Sequence, residues 1–185
     1  MTIFVVLLRA VNVGGTGTLP MAAFRAACEE AGLRNVSTYI ASGNMVCSST
    51  ESPTTLRDDV LRVVRDRFGL LKNEPIVRTA EEWAEVVVRN PFANAVSERP
   101  KFLHVHFFHQ PPSADAISGL TRLAGTERLH LDGRQLYVDY AAGIGRSKLT
   151  PAVLDRWVRL PWTARNWNTI QTLSAMAHAV RDESR

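Results

Sequence analysis

Ile3-Phe4-Val5-Val6-Leu7-Leu8 is apolar at every position. In an extended chain Ile3, Val5 and Leu7 face one way and Phe4, Val6 and Leu8 the other. A strand with two apolar faces is buried on both, so something covers each side of its sheet. The run has no basic leader and no cleavage site, and it is far too short to span a bilayer.

The segments that follow alternate between helix and strand signals. Val11 to Leu19 is a loop of Gly, Asn and Thr. Pro20 opens a helix with Phe24, Ala27, Cys28 and Ala31 at helical spacing, and Gly32 closes it. Val36 to Ala41 reads as a strand, Ser42-Gly43-Asn44 as a tight turn, and Met45 to Ser48 as the next strand. Ser52-Pro53 caps a helix that turns Leu56, Val60, Val63, Val64 and Phe68 inward and ends at Gly69. Pro75 to Thr79 is a fourth strand. This β-α-β-β-α-β order is the split ferredoxin-like unit. Thr79 and Glu82, in capping-box spacing, begin a further helix with Trp83, Val86 and Val87 on one face. Asn90-Pro91 ends it, and Phe92 to Lys101 reads as a linker.

The element order then repeats. Phe102 to Phe108 is a strand and Ser113 to Leu123 a helix. Arg128 to Asp132 and Gln135 to Tyr140 form a hairpin around Asp132-Gly133-Arg134. Thr150-Pro151 opens a helix with Val153, Leu154, Trp157 and Val158 inward. Thr163 to Arg165 is a short strand, and Trp167 to Val180 a terminal amphipathic helix. The expected fold is α+β. Two ferredoxin-like βαββαβ subdomains, 1–79 and 101–166, are joined by a linking helix and linker at 80–100 and closed by a C-terminal helix and tail at 167–185.

Hydrophobic residues make up 45% and charged residues 22% of the 185, the balance of a soluble globular chain. A net charge of +4 admits an anionic partner. Cys28 and Cys47 stand in no C-x-x-C pattern and read as reduced thiols, which places the protein in the cytoplasm.

Four polar loops could carry chemistry. They contain Arg9 and Asn12, then Ser42, Gly43 and Asn44, then Gly143 to Lys148, and finally Arg165, Asn166 and Asn168. Glycines let a ligand approach the backbone, helix N-termini present unpaired N–H groups, and Arg and Lys beside them attract anions. Turn chemistry is the plain alternative, since Gly and Asn tolerate left-handed backbone. Gly143 to Lys148 is no P-loop, because Gly145 is followed by Arg146 and Lys148 by Leu149. Gly14-Gly15-x-Gly17 lacks the acidic partner of a dinucleotide fingerprint. His104 and His106 share a strand face, but without a Cys or carboxylate cluster they do not make a metal site. No nucleophile elbow surrounds Ser42 or Ser147. No metal and no cofactor are expected.

The strings LLRAVNVGG, LPM, TYIASGN, NPF, GIGRSKLT and TARNWNT, in this order, resemble the bacterial domain-of-unknown-function family sixteen-ninety-seven. The resemblance implies a cytosolic α+β protein of two ferredoxin-like subdomains, and no established activity. Arg9, Asn12, Ser42, Gly43, Asn44, Arg146, Ser147, Lys148, Arg165, Asn166 and Asn168 match its pattern. The loop after Gly14-Gly15 carries no cation here.

The leading expectation is a site for a phosphate-bearing ligand, either a nucleotide or a nucleic acid. Arg9, Asn12, Ser42, Asn44, Gly145, Arg146, Ser147, Lys148, Arg165, Asn166 and Asn168 are its candidate residues. Gly143 to Lys148 and Arg165 to Asn168 are expected to converge, their cations balanced by a bound anion or by a carboxylate, Asp139 from its strand ahead of Asp155. The alternatives are a metal-independent transferase or hydrolase on a phosphorylated metabolite, with Ser147 or Lys148 catalytic, and a scaffold whose motifs only shape turns. The sequence does not specify an oligomeric state.

Overall fold

The computed structural model describes residues 1–12, 17–71 and 73–183. The chain divides into two compact units, 1–85 with 171–185, and 86–170. Each contains one four-stranded antiparallel sheet, and the described residues form seven α-helices.

The first unit runs β1 (Thr2–Leu7), α1 (Met21–Glu30), β2 (Arg34–Tyr39), β3 (Asn44–Ser49), α2 (Pro53–Phe68) and β4 (Ile76–Thr79). Its strand order is β2-β3-β1-β4. The doubly apolar β1 therefore lies inside the sheet, pairing β3 on one side and β4 on the other. Phe4, Val6 and Leu8 join Phe24, Cys28, Leu56, Val60 and Val64 in one core. Val5 and Leu7, on the opposite face, are also fully buried. Ser52 accepts from the Thr55 amide at 3.1 Å, and Gly69 leaves α2 at φ 68°. β2 begins two residues earlier than the apolar pattern indicates. Its register against β3 shifts between Arg34 and Ser37, where Asn35 has φ 51°.

α3 (Ala80–Val88) leads into the second unit. There follow α4 (Ala93–Glu98), β5 (Leu103–Phe108), α5 (Ala114–Leu123), β6 (Arg128–Asp132), β7 (Gln135–Asp139), α6 (Pro151–Val158), β8 (Trp162–Asn166) and α7 (Trp167–Glu183). The strand order is β6-β7-β5-β8. Phe108, Leu120, Leu136, Val138, Leu154, Val158 and Trp162 build its core.

Two expectations fail here. The segment read as a linker holds α4 and a 3-10 turn at Pro100–Phe102. The amides of Ala95 and Val96 both bond to the Phe92 carbonyl, so one helical turn closes without an apolar stripe to announce it. Trp157, expected inward, is 36% exposed. Its ring lies across Gly119, where an added Cβ would stand 2.2 Å away. The short α6 sends only Leu154 and Val158 fully into the core. Among the described residues no helix is long and apolar enough to cross a membrane.

Candidate functional site at one end of the second sheet

β5 runs antiparallel to both neighbours, with Leu103 opposite Asp139 of β7 and His104 opposite Asn166 of β8. β7 and β8 therefore finish at the same end of the sheet, on either side of the start of β5. Two strand spacings separate them, about 10 Å. The Gly143–Lys148 loop leaves from one and α7 opens from the other, so both polar motifs belong to this end.

The loop is shaped by short contacts. Gly143 takes φ 87°, Ile144–Arg146 make a 3-10 turn, and Leu149 plugs into the core at 3% exposed. The Ser147 hydroxyl accepts from the Leu149 amide at 3.0 Å and bonds the Glu127 carboxylate. Partial burial raises the Glu127 pKa, but Ser147 and nearby backbone amides outweigh it and hold the group below the usual carboxylate range. Arg146 and Lys148 flank Ser147, are exposed, and make no ion pair among the described residues. Across the sheet end, Asn166 accepts from the Thr169 amide at 3.0 Å and caps α7. Asn168, one residue into the helix, is exposed.

Behind the loop lies a polar row that sequence reasoning missed as a group. His106 is 3% exposed, and its Nε2 stands 3.3 Å from the Tyr140 hydroxyl. Burial, and then His104, push its pKa down to about 3, so it is neutral. Burial, and then Glu127, raise the Tyr140 pKa. The signal for His106 was present, since it alternates with Val105 and Phe107 on a strand whose neighbours are apolar. Glu127 offered none, because only the folded chain brings it to Ser147.

Asp139 does not neutralise the two motifs. It is fully buried and accepts from Arg99 Nε at 3.0 Å and Nη2 at 2.8 Å, and from Arg128 Nη2 at 2.7 Å. Burial raises its pKa, but the two guanidinium groups outweigh that and leave it lowered. Arg128 lies directly opposite Asp139 across β6 and β7, and Arg99, just after α4, reaches the same carboxylate. Arg165 is 7% exposed, on the face of β8 away from the loop, and bonds Thr163 Oγ1 at 2.7 Å and the Ala164 carbonyl at 2.8 Å. Burial lowers its pKa to about 10.

Arg9, Asn12, Ser42 and Asn44 belong to the first unit, at the end of its sheet where β1 finishes and β3 begins. The amides there hold the protein's own backbone. Asn12 bonds the carbonyls of Leu19 at 2.9 Å and Ala41 at 2.7 Å, and accepts from the Leu19 amide at 2.7 Å. Asn44 bonds the Tyr39 carbonyl at 3.0 Å and Ser42 Oγ at 3.0 Å. Asn73 ties the Arg9 and Ala10 carbonyls. Gly14 and Gly15 lie outside the described residues. Among the described residues no three His, Cys, Asp or Glu are placed to share a metal ion.

Residues 1–137 match the model of a family described as a protein of unknown function, DUF1697. The chain belongs to that family. The match ends before GIGRSKLT and TARNWNT, so these two polar motifs lie beyond the matched residues. Among solved structures, the conserved bacterial protein SP0830 from Streptococcus pneumoniae is similar over 96% of this chain and 99% of its own, with TM-score 0.71 and 18% identity. At that identity the likeness is one of fold. No curated protein matches the chain.

Proposed function

We propose that the second unit binds a nucleic acid through its phosphate backbone, with the Gly143–Lys148 loop and the N-terminus of α7 as the primary contact. The observation that carries this reading is the pair Arg146 and Lys148, exposed and without ion pairs among the described residues, on a loop held in place by Ser147 and Leu149. The distribution of charge supports it. Residues 86–170 hold 11 Arg and Lys against 6 Asp and Glu, a net +5, while the first unit holds 11 against 12, a net −1. A capped helix N-terminus at the same sheet end adds partial positive charge. The exposed setting of both cations suits an extended polyanion better than an enclosed metabolite. Ser147 is engaged by the Leu149 amide and by Glu127, a turn lock rather than an activated nucleophile, which favours binding over catalysis. We read each βαββαβ unit as ferredoxin-like and place the protein in the cytoplasm.

The test is fluorescence anisotropy with short single-stranded RNA, duplex DNA and free ATP across a salt series. Polymer binding should weaken linearly on a logarithmic salt axis, and Arg146→Ala with Lys148→Ala should reduce that slope by about 2. Absence of polymer binding at low salt, or an unchanged slope in the double variant, would overturn the proposal.

A further inference from the structure

Each sheet has an exposed edge strand at its start, and the two edges differ. β2 in the first unit is interrupted by the register shift at Asn35, a bulge of the kind that blocks edge pairing. β6 has no such break. All five of its residues pair in register with β7, from Arg128↔Asp139 to Asp132↔Gln135. The two strands are joined by Gly133-Arg134, with Gly133 at φ 55°. A two-residue hairpin makes its closing pair hydrogen-bonded, so Asp132, His130 and Arg128 direct their backbone groups to β7. Leu129 and Leu131 then direct theirs outward. Their side chains are only partly buried against the core.

We propose that β6 pairs with β6 of a second copy of this chain, antiparallel about a two-fold axis through His130, joining the two sheets edge to edge. The sequence Arg128-Leu129-His130-Leu131-Asp132 is self-complementary in that register. Leu129 meets Leu131 of the second copy, and these are the residues whose backbone groups point outward, so each such pair exchanges two hydrogen bonds. Arg128 meets Asp132 of the second copy on one sheet face. Arg128 spends Nε and Nη2 on Asp139, which leaves Nη1 for that carboxylate. Among the described residues, Asp132 has a 3.6 Å pair with Arg89 and a 3.3 Å bond from Gln135. Shifting the register by two residues in either direction breaks the charge match. The leucines, half-covered at a sheet edge, become interior to a continuous sheet. The contact is isologous and closes at two copies.

His130 is exposed, so substitutions there leave the fold intact. On the axis it faces its own copy as a non-hydrogen-bonded pair, with Cα atoms about 4.5 Å apart, within disulfide reach. Under mild oxidation His130→Cys should form a covalent dimer of twice the chain mass, and Leu129→Cys, which faces Leu131, should not. Cys28 and Cys47 are fully buried and do not compete. In sedimentation velocity the unaltered chain should show a dimer that His130→Glu dissociates, because like charges then meet on the axis. A chain that stays monomeric at every concentration, a His130→Cys that fails to cross-link, or a dimer that survives His130→Glu would each overturn the proposal.

Discussion

His106 is a titratable side chain in a core position, with the Trp162 ring 5.2 Å away and Tyr140 against its Nε2. Protonation would place a charge where there is no water to solvate it. Its pKa is lowered from the ordinary 6.5 to about 3 by burial first and His104 second. Between those values the unfolded chain binds a proton that the folded one refuses. The stabilisation is therefore full above about pH 6.5 and is lost as pH falls toward about 3. By pH ~5 the loss is about 2 kcal/mol. Urea unfolding at several pH values should show this decline in the unaltered protein, and His106→Leu should remove it above the range where carboxylates titrate. The same slope in both proteins would contradict the assignment. The sequence placed His106 on a strand face shared with His104. Which face was closed depended on α5 and α6 packing over it, and no local pattern encodes that.

At the scale of elements, most of what was legible came from caps and turns, because their chemistry is local. Thr79 and Glu82 form the reciprocal capping box their spacing indicates, at 3.0 and 3.2 Å. Ser52 and Gly69 bound α2 as expected. Less legible were the features set by neighbours in space: the turn of α4, the bulge in β2, and Trp157 resting on Gly119. The Ser42-Gly43-Asn44 turn shows both sides. Its position was readable, but the bond from its asparagine to the Tyr39 carbonyl was not. Gly43 adopts φ 77°, its carbonyl oxygen accepts from the Leu8 amide at 2.8 Å, and an added Cβ would stand 2.5 Å from Val11 Cγ2. Gly43→Ala therefore meets backbone strain and a core clash together. It should cost about 2–3 kcal/mol in urea unfolding. A loss under about 0.5 kcal/mol would mean that this loop is not pinned as described.

At the scale of the whole molecule, chain order and structural unit diverge. The first unit is discontinuous: residues 1–85 are completed by 171–185, while 86–170 form the second. The repeated βαββαβ order was visible in sequence, but the return of α7 to the first unit was not, since an amphipathic helix does not encode which core receives it. The polar motifs illustrate the same limit. Glycines and cations marked the end of the second sheet, whereas the division of the candidate residues between two units followed from topology. Leu173, Ala177 and Val180 of α7 are 0%, 5% and 7% exposed, and Arg181 pairs with Glu81 of α3. Removing the Leu173 side chain beyond Cβ should cost about 2–5 kcal/mol, as for other buried leucines. If the first unit opens on its own, that loss is confined to it. Hydrogen exchange of Leu173→Ala should then show faster exchange of amides in β1 to β4, with those in β5 to β8 unchanged. An equal loss of protection in both sheets would show instead that the two units unfold as one cooperative block, and that the boundary at Glu85 marks a division of contacts without a division of stability.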